Sequence, residues 1–166
     1  MNRSASLDDT LAVHRAELLV YACRLSGDRD QAEDIVQAAF VKALQSVRSG
    51  VEAQNPRAWL YRIVHNEALT SRRRSRREFA ALVTLPQAAA AQDPARTRLL
   101  GKVEREIGLL AEPYRAALRL RYLQHLKVDD VAEVLQLSVG TVKSQLARGL
   151  RLLTDRLGDE MEGEEA

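Results

Sequence analysis

Residues 128–153 read VDDVAEVLQLSVGTVKSQLARGLRLL, and the spacing within this stretch decides the fold. Val128, Val131, Ala132 and Leu135 recur at helical intervals and make a short apolar stripe. Asp129 and Asp130 fall in the first turn of that helix, where the backbone dipole favours carboxylates. Gln136-Leu137-Ser138 breaks the pattern, and Ser138 is suited to cap a second helix by accepting from its free N–H groups. In that second helix Val142, Leu146, Leu150, Leu153 and Leu157 fall in one sector at about 100° per residue, so they are predicted to be buried. The opposite sector presents Ser144, Ala147, Arg148 and Arg151, with Lys143 at its edge. A leucine-backed helix with a short polar and basic outer face, entered through a tight turn, has the layout of a helix-turn-helix whose second helix enters a major groove. A helical hairpin with a merely solvated basic face has the same pattern, and this stretch alone does not separate the two.

Working outward, helical periodicity resumes in every long segment. Residues 8–25 carry Leu11, Leu18, Leu19, Ala22 and Leu25 and end at Ser26-Gly27. Ala32, Ile35, Val36, Ala39, Phe40, Ala43, Leu44 and Val47 then follow the i, i+3, i+4 rule, which predicts a helix with one buried face ending near Ser49-Gly50. Pro56 suits the first turn of a third helix that runs into the arginines at 72–77. Composition changes after that: Leu85-Pro86-Gln87, the alanines at 88–91 and Asp93-Pro94 read as a linker over 78–94. Helical pattern returns at Ala95 and continues, with breaks near Pro113 and Leu126-Lys127, to about Leu157. The expectation is an all-α chain of two small helical domains, 8–77 and 95–157, joined by a flexible linker, with an acidic tail over 158–166. No strand, internal repeat or glycine-rich phosphate loop is predicted.

Composition agrees with this layout. Apolar residues make up 46% of the chain, enough for packed cores, and aromatics only 4%, so the cores must rest on Leu, Val, Ile and Ala. Only 8 Gly and 4 Pro interrupt segments rich in Ala, Leu, Arg and Gln, which favours helix. The net charge of +2 understates the body of the protein, because the tail concentrates Asp159, Glu160, Glu162, Glu164 and Glu165. That tail reads either as a solubilising end or as a regulatory element. The single Cys23 excludes an internal disulfide and sits in an apolar run. No stretch reaches membrane-spanning length and no signal-peptide core follows the first residues, so a cytoplasmic protein without membrane insertion is expected.

The middle helix carries a second polar stripe. Trp59, Arg62, Asn66, Thr70, Arg73 and Arg77 are spaced three or four apart, while Leu60, Ile63, Val64 and Ala68 take the packing side. An indole, an amide and guanidiniums on one face suit a single nucleic-acid strand: a base stacks on the ring, the amide bonds base edges and arginines hold phosphates. The run Arg72-Arg73-Arg74-Ser75-Arg76-Arg77 adds charge for the backbone. Taken singly, Trp59 also reads as a half-buried core residue and the arginines as a solvated helix end. An enzyme is not expected: His14, His65 and His125 are scattered and no metal-ligand spacing or nucleophile–base pair is present, so no catalytic residue, metal or cofactor is predicted. A free-standing helix-turn-helix regulator would explain 126–157 but not the middle stripe, and an RNA-binding adaptor would share the stripe chemistry.

Asp34-Ile35-Val36-Gln37 through Phe40, Trp59-Leu60-Tyr61-Arg62-Ile63-Val64 with Asn66, and Val139-Gly140-Thr141-Val142-Lys143-Ser144 together resemble the extracytoplasmic-function (ECF, group IV) RNA polymerase sigma factors over about residues 8–157. The resemblance implies promoter recognition in transcription initiation. It implies that 8–77 binds the clamp helices of the largest subunit of core RNA polymerase and captures the melted minus-ten strand. It implies that 95–157 reads the duplex minus-thirty-five element and docks on the flap of the other large subunit. Residue by residue, it places Asp34, Gln37, Ala38 and Val41 on the polymerase-binding surface, with Phe40 supporting it. Trp59 and Asn66 match positions that help melt and read the minus-ten element, which makes the rest of their stripe, Arg62, Thr70, Arg73 and Arg77, minus-ten residues as well. The loop from Arg48 to Asn55 resembles a base-pocketing specificity loop. Arg121, Lys143, Ser144, Ala147 and Arg148 match the minus-thirty-five contacts. An anti-sigma factor is an expected partner.

The chain also departs from the family pattern. Ala38 stands where an acidic residue is common. Lys127 stands at a cap position usually held by Ser, and a missing cap costs about 1 kcal/mol. Gln136 replaces the turn glycine, so the turn must avoid positive φ or carry strain. Gln145 stands where Arg is frequent, and Ala147 is small for a base-facing position.

Overall fold

A computed structural model describes residues 3–75 and 94–164, which form helices and connecting turns with no strand among them. The chain divides into two compact units, residues 1–88 and 89–166.

In the first unit α1 (Arg3–Ser26), α2 (Arg29–Arg48) and α3 (Pro56–Ser75) each pack against the other two. Gly27 turns the chain between α1 and α2 with φ of 78°, a left-handed conformation that glycine adopts without penalty. Asp28 then caps α2, its carboxylate accepting from the Gln31 N–H at 2.7 Å. On α2 the predicted stripe packs inward: Ala32, Ile35, Val36, Ala39 and Ala43 are buried, while Phe40, Leu44 and Val47 are half-buried at its rim. Pro56 is the first residue of α3, as its spacing predicts, and Asn55 caps that helix through Ala58 N–H at 3.2 Å. The core joins these residues to Leu18, Tyr21, Leu60, Tyr61 and Val64, all without solvent exposure. Burying a side chain of Leu size contributes about 1.5–3 kcal/mol.

Polar ties lock α3 to both neighbours. Arg57 donates from Nε and Nη2 to the two Glu17 carboxylate oxygens of α1, at 3.0 and 2.7 Å. Burial pushes the Glu17 carboxyl upward, but hydrogen bonding and charge from Arg57 and His14 outweigh it, so its pKa falls below the ordinary 4.5. Lys42 of α2 pairs with Glu67 of α3. The Tyr21 hydroxyl and His65 Nδ1 share a hydrogen bond at 2.8 Å.

In the second unit α4 (Pro94–Leu109), α5 (Tyr114–Leu118), α6 (Val128–Leu135) and α7 (Val139–Glu164) are joined by turns, one of them a π-helical turn, Arg119–Leu123. Breaks fall where Pro113 and Leu126-Lys127 predict them. Pro94 starts α4, and the rest of the expected linker lies outside the described residues. α7 continues past Leu157 to Glu164, so part of the expected acidic tail is helix. The core gathers Ile107, Leu118, Leu120, Leu126, Val131, Val134 and Val142. Glu106, 2% exposed, accepts from Arg156 Nε at 2.8 Å and ties α4 to the far part of α7. Arg115 holds the corner before α5 by donating to the Gly108 carbonyl and the Glu112 carboxylate, both at 2.9 Å.

Candidate nucleic-acid interface

α6 and α7 form the predicted helix-turn-helix. Lys127 precedes α6 and has no side-chain acceptor to cap it; Asp130 instead accepts from the Lys127 N–H at 3.3 Å, half of a capping box. Gln136 adopts φ 56° and ψ 44°, so the turn keeps the left-handed geometry that a glycine would take without strain. Ser138 caps α7, its Oγ accepting from Thr141 N–H at 3.1 Å.

On α7 the buried line runs through Val142, Leu146, Gly149 and Leu153. This corrects one expectation: Leu150 is 38% exposed and Leu157 half-buried. Gly149 is the reason. A Cβ there would stand 3.0 Å from Leu118 Cδ1 and 3.3 Å from Tyr114 Cβ, so α5 seats directly on the bare backbone at 149 and leaves Leu150 at the rim. On the other side Lys143, Ser144, Ala147, Arg148 and Arg151 are all exposed, as predicted. Arg121 is placed differently. It is half-buried, donates to the Leu126 carbonyl at 3.1 Å and lies over the Tyr122 ring at 5.7 Å, which ties it to the turn before α6.

An open groove of about 480 Å³ runs beside the outer face of α7. Pro113 and Tyr114 form one wall, and Thr141, Ser144, Gln145 and Arg148 the other. Ser144 and Arg148 are therefore brought together there, while Lys143 and Ala147 stand outside its lining. Gln145, Pro113 and Tyr114 were not among the predicted site residues. The only sequence signal for them was Gln145 at a position where Arg is frequent; the Tyr114 wall comes from another helix and leaves no periodic trace.

The middle stripe divides along its length. Trp59 is only 5% exposed and lies in the core, which closes its ring to base stacking and corrects the expectation of an open aromatic platform. Ala58, Trp59, Leu60 and Tyr61 are all buried in succession, because α1 and α2 both pack against α3 and cover more than one side of it there. Further along, Arg62 is half-buried and Asn66, Thr70 and Arg72 are exposed. The Thr70 hydroxyl donates to the Asn66 carbonyl at 2.9 Å, so its availability as a donor is reduced. The Arg73 side chain and the whole of Arg77 lie outside the described residues. The loop from Arg48 to Asn55 keeps Val51 exposed and turns at Gly50 with φ of 89°. On α2, Asp34, Gln37, Ala38 and Val41 are all exposed opposite the buried stripe.

Residues 11–78 match the family model for sigma-70 region 2, and residues 100–153 match that for sigma-70 region 4. The chain is 25% identical to the ECF RNA polymerase sigma factor SigW of Bacillus subtilis, over 91% of this chain and 88% of that protein. It is 33% identical to the ECF RNA polymerase sigma factor SigL of Mycobacterium tuberculosis, over 87% of this chain and 86% of that protein. Among solved structures it resembles the sigma factor RpoE of Bartonella quintana in complex with the anti-sigma factor NepR. The TM-score there is 0.75 at 26% identity, covering 92% of this chain and 97% of that one.

Proposed function

Since the chain belongs to the ECF RNA polymerase sigma factors, which direct RNA polymerase to promoters for transcription initiation, we propose that it divides promoter recognition between its two domains in the manner of group IV members. The second domain reads the duplex minus-thirty-five element through α7. The observation that carries this is the outer face of α7, where Lys143, Ser144, Ala147, Arg148 and Arg151 are exposed together while Val142, Leu146 and Leu153 hold the helix from behind. Arg148 and Lys143 supply charge for phosphates and base edges, and Ser144 and Ala147 let the helix approach closely. Arg121, bonded to the Leu126 carbonyl, supports the turn and reaches the DNA backbone only from that position.

The first domain captures the melted minus-ten strand through Asn66, Arg62 and Thr70, with Arg73 and Arg77 continuing the charge. Trp59 contributes by fixing α3 rather than by stacking. Exposed Val51 suits the loop from Arg48 to Asn55 for an apolar contact with an extruded base. Asp34, Gln37, Ala38 and Val41 bind the clamp helices of the largest polymerase subunit, with Ala38 and Val41 adding an apolar component beside the polar pair. The second domain docks on the flap of the other large subunit. Boundaries of 8–77 and 95–157 with a connector over 78–94 follow this division. An anti-sigma factor is a further partner, a reading supported by the solved complex of RpoE with NepR.

Run-off transcription with purified core RNA polymerase on a promoter library tests the function directly. Promoter-selective initiation dependent on the protein is expected, and Arg148→Ala should weaken selection of the upstream element. Sequence-specific duplex binding by the free protein, with no effect on core polymerase, would make it a self-sufficient regulator instead.

A further inference from the structure

We infer that Gln145 is a specificity-determining residue that reads an adenine in the upstream duplex; the inference rests on the reading of α7 proposed above. Gln145 sits between the outer face of α7 and its buried line, in the wall of the groove opposite Pro113 and Tyr114. Its Oε1 is buried and has no hydrogen-bond partner among the described residues. Ser144 and Arg148 carry donors on the same wall, yet neither reaches that oxygen. A buried acceptor left in this way has lost its solvation without gaining a bond, so a partner that supplies a donor is favoured by both terms.

A carboxamide needs a donor for its oxygen as well as an acceptor for its nitrogen, and that pair of needs selects the partner. Phosphate oxygens only accept, so they can satisfy the Gln145 Nε2 amide but never its Oε1. In a major groove the donors are the amino groups of adenine and cytosine. Adenine also offers N7 as an acceptor beside its amino group, so a carboxamide engages it with both atoms at once, whereas cytosine uses one. The Gln145 side chain breaks no bond at Oε1 when it turns out of the groove. Ser144 and Arg148, which share the groove, place the duplex within its reach.

The test is promoter selection from a library randomised across the upstream element, using the full chain bound to core RNA polymerase. The wild-type protein should prefer adenine at one position by roughly ten-fold over other bases, the discrimination expected of a bidentate amide contact. Gln145→Ala should lose that preference and leave the remaining positions unchanged. Gln145→Glu presents acceptors only, keeps the size of the side chain and should transfer the preference to cytosine. Placing 7-deazaadenine at that position should weaken selection by the wild type and not by Gln145→Ala. An unchanged profile in Gln145→Ala, or equal weakening at every position, overturns the assignment. Absence of any upstream selection by the wild-type protein overturns the reading of α7 itself, so the two failures are distinct.

Discussion

α3 and α7 carry the same kind of message in sequence: a polar and basic stripe on one side, aliphatic residues on the other. In α7 the stripe stays outside from Lys143 to Arg151, and buried residues recur only every third or fourth position. In α3 the stripe starts inside the protein, because Ala58 through Tyr61 are buried in succession, is half-buried at Arg62 and becomes fully exposed at Asn66. α3 packs against both α1 and α2 and is clamped by Arg57 to Glu17, so more than one side of its early turns is covered. An angular pattern therefore says which side of a helix faces the core only where neighbours cover one side.

The largest test of this contrast is Trp59→Ala. A buried indole in the α3 core should cost about 3–5 kcal/mol of first-domain stability, whereas Asn66→Ala should cost well under 1. Thermal unfolding followed by circular dichroism separates them; equal, small effects would return Trp59 to the surface. Next comes the clamp. Glu17→Gln should destabilise the first domain by about 1.5–3 kcal/mol, the range for hydrogen bonds to a charged group. Trp59 is the single tryptophan, so its fluorescence reports this unfolding without interference. Because the folded-state pKa of Glu17 is depressed, its contribution is present above the ordinary value of 4.5 and is lost as pH falls below that. A wild-type stability curve with no steeper acid-side decline than Glu17→Gln would remove the clamp from the comparison.

In the second domain the effects are smaller, since α7 is held by its aliphatic line and its cap. Ser138→Ala should cost about 1 kcal/mol by freeing the N–H of Thr141. Gln136→Gly should stabilise by up to about 1 kcal/mol, because glycine adopts the observed left-handed turn without the side-chain penalty. Denaturant midpoints of the two variants should move in opposite directions; a loss at Gln136→Gly would mean that the side chain, not the backbone, holds the turn.

Much of this was legible beforehand for local reasons. Pro56 and Ser138 mark helix starts because capping and proline geometry act within one turn of chain. The exposed set on α2 and the outer face of α7 follow from spacing alone, whereas the choice at Gln136 between avoiding positive φ and carrying strain follows from comparison with the family's turn glycine. Family resemblance supplied the roles of those faces, which no spacing could provide. The misplaced residues share a cause. Helical angle alone puts Trp59 on the polar stripe and Leu150 with the leucines of α7, and angle carries no information on which other helix arrives there.

By itself, then, the sequence determined an all-helical chain, a helix-turn-helix with a non-glycine turn, and which faces of α2 and α7 stay polar. Helix angle and capping are properties of neighbouring residues, so they are written locally. Only the tertiary structure decided that Trp59 is core, that Gly149 displaces Leu150 at the α5 contact, and that Gln145 stands with an unpaired oxygen in a groove facing Tyr114. Those outcomes depend on which other helix arrives at a given turn and how closely it approaches, and that information lies far away along the chain.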